Sequence, residues 1–188
     1  PWGFIDNRPM LTLVAYYIDE FADTRPAEVL ELLRWSVLTV NPTDNTGLRD
    51  PLIHTLVAAR QAAEAIAVAA LYPADFAFTE FGRVLALFAD GQLAEAESAL
   101  ATARIKSPKV WKTLNAANPK QPRSQGPGFQ VGGDDEAWEY RERYLDLWRV
   151  SGALRWAAGL KPAQPKTGKK TTQTPLAADG QSCLPGLD

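Results

Sequence analysis

The sequence predicts an all-α fold, a short right-handed α-solenoid of antiparallel helix pairs with a C-terminal helical cap, and three observations predict it. Apolar residues recur at helical spacing in consecutive blocks between Arg8 and Ile105. Three helix pairs each close on a proline, Pro42, Pro73 and Pro108, separated by roughly the 34 residues of helical-hairpin repeats. Breaking residues, Asn41-Pro42 and Asp90-Gly91 among them, fall between the blocks.

The first helix runs from Arg8 to about Ala22, with Pro9 in its first turn and Met10, Leu11, Leu13, Val14, Tyr17, Ile18 and Phe21 at helical spacing. Asp23 and Thr24 offer N-cap chemistry to a second helix, which has Pro26 at an early position, carries Val29, Leu30, Leu33, Val37 and Val40, and stops at Asn41-Pro42. A polar turn from Asn41 to Gly47 then precedes a third helix with Leu48, Leu52, Leu56 and Val57, and with Pro51 in its first turns. The segment from Ala62 to Leu71 is so rich in alanine that propensity alone favours helix, and Pro73 ends it.

The fifth helix, about Ala74 to Ala89, is apolar on more than one face through Phe76, Phe78, Phe81, Val84, Leu85, Leu87 and Phe88, so it is the expected middle of the core. After the Asp90-Gly91 turn, Leu93, Ala96, Ala99, Leu100, Ala103 and Ile105 define a sixth helix. A short helix is expected from Val110 to Leu114, then a long loop from Asn118 to Gly133. Asp134-Asp135-Glu136 suits the positive end of the next helix, whose apolar face is Ala137, Tyr140, Tyr144, Leu147 and Trp148, and a last helical piece runs from Gly152 through Trp156.

With 46% apolar and 22% charged residues, the 188-residue chain is suited to one buried core, here assigned to residues 1–160. Residues 161–188 are rich in Pro, Gly, Lys and Thr and are expected to be a disordered tail. The formal net charge of -2 gives no general reason to bind nucleic acid or an anionic membrane. No apolar stretch approaches the roughly 20 residues a bilayer-spanning helix needs, and no signal-peptide pattern opens the chain, so a cytoplasmic location is expected. Because Trp2, Phe4 and Ile5 are apolar for a free end and Pro1 is not an initiator methionine, an upstream segment is expected as well.

These residues resemble a family. Asn41 through Arg49, Tyr72-Pro73, Ser107 through Val110, Gly133 through Ala137, Tyr140, Trp148 and Gly152-Ala153-Leu154 resemble, in order and spacing, degenerate tetratricopeptide-like proteins of the suppressor of tumorigenicity type and their bacterial relatives. The resemblance spans about Trp2 to Trp156 and implies a helical-repeat fold without established catalytic residues. It departs between Gln61 and Leu71, where alanines replace the usual charged positions, and in the tail.

Catalytic and metal chemistry finds little support in the residues. His54 is the one histidine and Cys183 the one cysteine, so neither a thiolate site nor a His-based metal site is available, and no metal or other cofactor is expected. His54, on the third helix, is read as a structural or flank histidine in preference to a general base. No serine sits in an activated context, and Gly126-Pro127-Gly128 and Gly132-Gly133 match no phosphate loop. Asp44, Asn45, Gly47 and Arg49 admit two readings: Asp44 or Asn45 caps the third helix, or Asn45 and Arg49 meet a ligand carboxylate. Trp35, Trp138, Trp148 and Trp156 are read as core, whereas Trp111 beside the polar loop is an anchor candidate or a lid over the last pair.

The function expected is therefore that of a non-enzymatic scaffold holding a protein or peptide partner in a helical groove, with Thr12, Asp19, Arg49, Arg83 and Trp111 as partner-binding candidates. Two alternatives stay open: an enzyme-regulating or small-molecule site near the loop from Asn118 to Gly133, and weak nucleic-acid contact through Lys161, Lys166, Lys169 and Lys170 of the tail.

Overall fold

Proline sets the start of three helices, because its missing N–H has no intrahelical acceptor in the first turn and its fixed φ already suits the helix. In the computed structural model, which describes residues 3–73, 76–123 and 130–160, these are α1 (Arg8–Phe21), α2 (Pro26–Arg34) and α7 (Pro108–Asn115). The others are α3 (Arg49–Ala58), α4 (Ala62–Leu71), α5 (Ala77–Ala89), α6 (Leu93–Lys106), α8 (Asp134–Val150) and α9 (Ala153–Gly159), with one 3-10 turn at Ile5–Asn7. Among the described residues every regular element is helical. The tail residues and Cys183 lie outside them, as do Ala74 and Asp75, so the observed start of α5 is Ala77.

Two local expectations are corrected. Asp23 and Thr24 do not cap α2; Arg25 takes the N-cap position, with no side-chain cap bond, and its own N–H donates to the Phe21 carbonyl at 2.9 Å. Trp35 is not core but 45% exposed. The physical reason is helical spacing: Trp35 stands two residues from both buried Leu33 and buried Val37, which on a helix of about 3.6 residues per turn carries it to the side opposite their stripe. From Trp35 to Val40 the helix continues as a π-helical run, in which the Asn41 N–H reaches back five residues to the Ser36 carbonyl.

Neighbours in sequence pack in series: α1 on α2, α2 on α3, α3 on α4, α6 on α7, α7 on α8 and α8 on α9. At the centre, α5 packs against α3, α4 and α6 together, as its two-sided apolar pattern requires. Buried Ala62, Ala65 and Ala69 shape the inner side of α4, where small side chains let helix axes approach. α3 and α5 approach closely at Gly82, where an added Cβ would stand 2.9 Å from Cε1 of His54 and 3.0 Å from Cγ2 of Ile53. Between α8 and α9, Gly152 takes the left-handed conformation, φ +83°, that turns the chain.

The last long helix packs across two earlier ones. Side chains of α8, Tyr140, Tyr144 and Trp148, lie over the faces of α3 and α5 that carry His54, Phe78 and Phe81. Arg141 ties α8 to the preceding helix by donating to the carbonyls of Thr113, Leu114 and Ala116 at 2.7, 2.9 and 2.9 Å. These are carbonyls at and just past the C-terminal end of α7, where a helix leaves acceptors unmatched.

Candidate functional site

Three places in the fold combine chemistry with position. The first is the buried contact between α3 and α8. His54 is 2% exposed, stacked on the Tyr144 ring at 3.6 Å between centroids, and its Nδ1 lies 2.7 Å from the Asp50 carbonyl. A carbonyl only accepts, so Nδ1 carries the proton and Nε2 is left to accept. Tyr140 supplies the donor at 3.2 Å, and Tyr140 in turn accepts from Nε1 of Trp148 at 2.9 Å. Every member of this chain is satisfied with a neutral imidazole. Burial accordingly pushes the His54 pKa down from 6.5 to about 4, against the smaller effect of the Asp50 carbonyl, and pushes the Tyr140 hydroxyl upward. The histidine is buried in the α3–α8 contact and not on a flank, and its two ring nitrogens are taken up by the Asp50 carbonyl and the Tyr140 hydroxyl.

The second place is a cavity of about 610 Å³ beside this contact. The turn before α3 forms one wall with Asp44, Asn45 and Gly47; Asp50, Phe76 and Phe78 form another, and Val131, Glu139, Arg143 and Tyr144 close it from α8 and the strand of chain before it. Asp44 organises the turn. Its carboxylate accepts from the backbone N–H of Leu48 at 2.9 Å and of Arg49 at 2.8 Å, and from the Arg49 guanidinium at 2.8 Å. Asp44, not Asn45, is therefore the residue that closes the start of α3. Its left-handed φ of +43° is compatible with a short polar side chain that bonds locally. On the opposite wall Nε of Arg143 donates to Glu139 at 2.7 Å.

The third place is the outer face of α1. Leu11 and Ile18 are buried against the body of the fold, with Val14 and Ala15 partly buried between them, so the side of α1 opposite this face, which carries Leu13 and Tyr16, points outward. Leu13 is 68% and Tyr16 70% exposed, and with Ile5, Arg8, Pro9 and Thr12 they line a shallow open depression. Phe4, Ile5 and Met10 extend the exposed apolar area around the start of the helix.

The five residues singled out from sequence are not brought together. Thr12 lies in the α1 depression. Asp19, on the same helix, is exposed and makes a loose contact with Arg143 at 3.7 Å. Arg83 is exposed on α5. Arg49 is buried, ion-paired with Asp44 and set over the rings of Tyr72 and Phe76, and with Asn45 it lines the cavity of about 610 Å³. Trp111 is half-buried, packs on the core, and lies under the Arg104 guanidinium at 4.0 Å. Sequence reasoning missed Tyr16, whose position five residues after Leu11 and two before Ile18 puts it on the side opposite that buried pair.

No family model, curated protein or solved structure matches this chain.

Proposed function

We propose that the chain is a non-catalytic protein-interaction domain, a degenerate tetratricopeptide-like array whose contact surface is the outer face of α1. The observation that carries this reading is the shared exposure of Ile5, Leu13 and Tyr16 around one depression. Large apolar groups standing together in water gain about 25 cal/mol for each Å² that a partner covers, and such patches mark contact surfaces. The array reading is supported by the serial packing order and by the packing of α3 on α5, the first helices of successive pairs. In such arrays the first helices line the partner groove. Here α8 packs over α3 and α5, and α1 keeps large apolar side chains exposed on the side away from Leu11 and Ile18.

The test is a paired substitution, Leu13→Asp with Tyr16→Asp. Both side chains are exposed, so the thermal midpoint is expected to hold while the size-exclusion mass of the chain in source-cell extract falls to that of a monomer. Unchanged mass would sink the reading.

The cavity of about 610 Å³ favours a second reading, a small-molecule site bounded by Asp50, Glu139 and Tyr144. A fragment screen by NMR settles it: shifts confined to these residues favour the cavity, and none disfavour it.

A further inference from the structure

We infer that the partner of the α1 face is a second copy of this chain, docked antiparallel across a two-fold axis beside Leu13; the inference rests on the interaction reading above. The charges of α1 carry it. Its first turn holds no acid and its last turn no base; instead Arg8 stands at the N-terminus and Asp19 and Glu20 at the C-terminal end, all exposed. Each sign is opposite to what the helix's own dipole favours. An antiparallel copy reverses that relation, because Arg8 then meets the negative end of the partner helix and Asp19 and Glu20 meet its positive end.

Register follows from the same residues. An isologous pair places residue i against j and j against i. Setting Arg8 opposite the partner's Asp19 puts the midpoint between Leu13 and Val14, so the two Leu13 side chains meet near the axis, flanked by Thr12 and Tyr16. Helical spacing puts Arg8, Thr12 and Asp19 along one flank of the open face, and a two-fold axis normal to the two helices keeps that flank on the same side in both copies. Arg8 of each copy therefore reaches the acidic end of the other. The loose Asp19 contact with Arg143 is compatible with this, since a carboxylate accepts from two guanidinium groups at once.

The experiment is sedimentation velocity on the full chain, from micromolar to millimolar concentration, for wild type, Arg8→Glu, the pair Asp19→Lys with Glu20→Lys, and an equimolar mixture of the two variants. Both variants move α1 toward its dipole preference, so neither is expected to lose the helix. The wild type is expected to dimerise, and each variant alone to weaken dimerisation by about a hundredfold or more through like charges at both ends. Mixed, the two variants restore every opposite-charge pair and form a one-to-one heterodimer. A wild type that stays monomeric, variants that dimerise unchanged, or a mixture that stays monomeric overturns the proposal. A pure wild type that is monomeric, yet gains mass in extract through Leu13 and Tyr16, overturns self-pairing and leaves the interaction face standing; no gain in either setting removes both.

Discussion

Nε2 of His54 on α3 accepts the hydroxyl proton of Tyr140 on α8 across 3.2 Å, joining positions 86 residues apart in sequence. The bond exists only while the imidazole is neutral, since a protonated ring has no lone pair for Tyr140. In the fold His54 holds off its proton to about pH 4, while in the unfolded chain it takes one up near the ordinary 6.5. Between these values the unfolded state binds more protons, so stability rises with pH; the contribution is present above about 6.5 and is lost as pH falls through about 4. Its size is about 3 kcal/mol. Denaturant unfolding at about pH 7 and about pH 4 should show that loss in the wild type in excess of the loss in His54→Phe. Equal losses in the two proteins would mean that His54 titrates freely.

Gly82→Ala should lower stability by about 1–3 kcal/mol, because the new methyl meets His54 and Ile53 at distances that real side chains do not tolerate. His54 and Ile53 are both buried, so relieving the contact moves α3 and α5 apart. Calorimetry checks this. An unchanged midpoint would show that the interface is looser than the geometry states.

Asp44→Ala should cost about 3–5 kcal/mol, since it removes a carboxylate paired with the buried Arg49 guanidinium and the acceptor of two backbone N–H groups. Asn45→Ala should cost a few tenths of a kcal/mol, because Asn45 is exposed and its amide donates to the exposed Thr43 hydroxyl at 2.9 Å. The contrast between the two substitutions is the measurement, and similar losses would contradict the assignment of the cap to Asp44.

The helices were legible because the apolar period and the prolines act locally: Pro26, Pro108 and the alanine run of α4 specify helix whatever lies across from them. Long-range pairing was not. The aromatic face of α8 reads as apolar, but nothing in Tyr140, Tyr144 or Trp148 names His54 and Phe78 as the surface beneath, and so His54 read as a flank residue. The burial of Arg49 was hidden for a related reason: its exposure depends on where Asp44 turns the chain, and a sequence shows the residue types without the direction. On α1 the difficulty was excess. Met10, Leu11, Leu13 and Ile18 are apolar on more than one side of the helix, yet only the side of Leu11 and Ile18 is buried, and the surplus is the candidate site.

The most direct test of the central claim is a photo-reactive amino acid at position 13 in the full chain, irradiated in the source cells, with position 97 on the exposed side of α6 as control. The account predicts a protein adduct from position 13 and none from position 97. No adduct from position 13, or equal adducts from both positions, would contradict it.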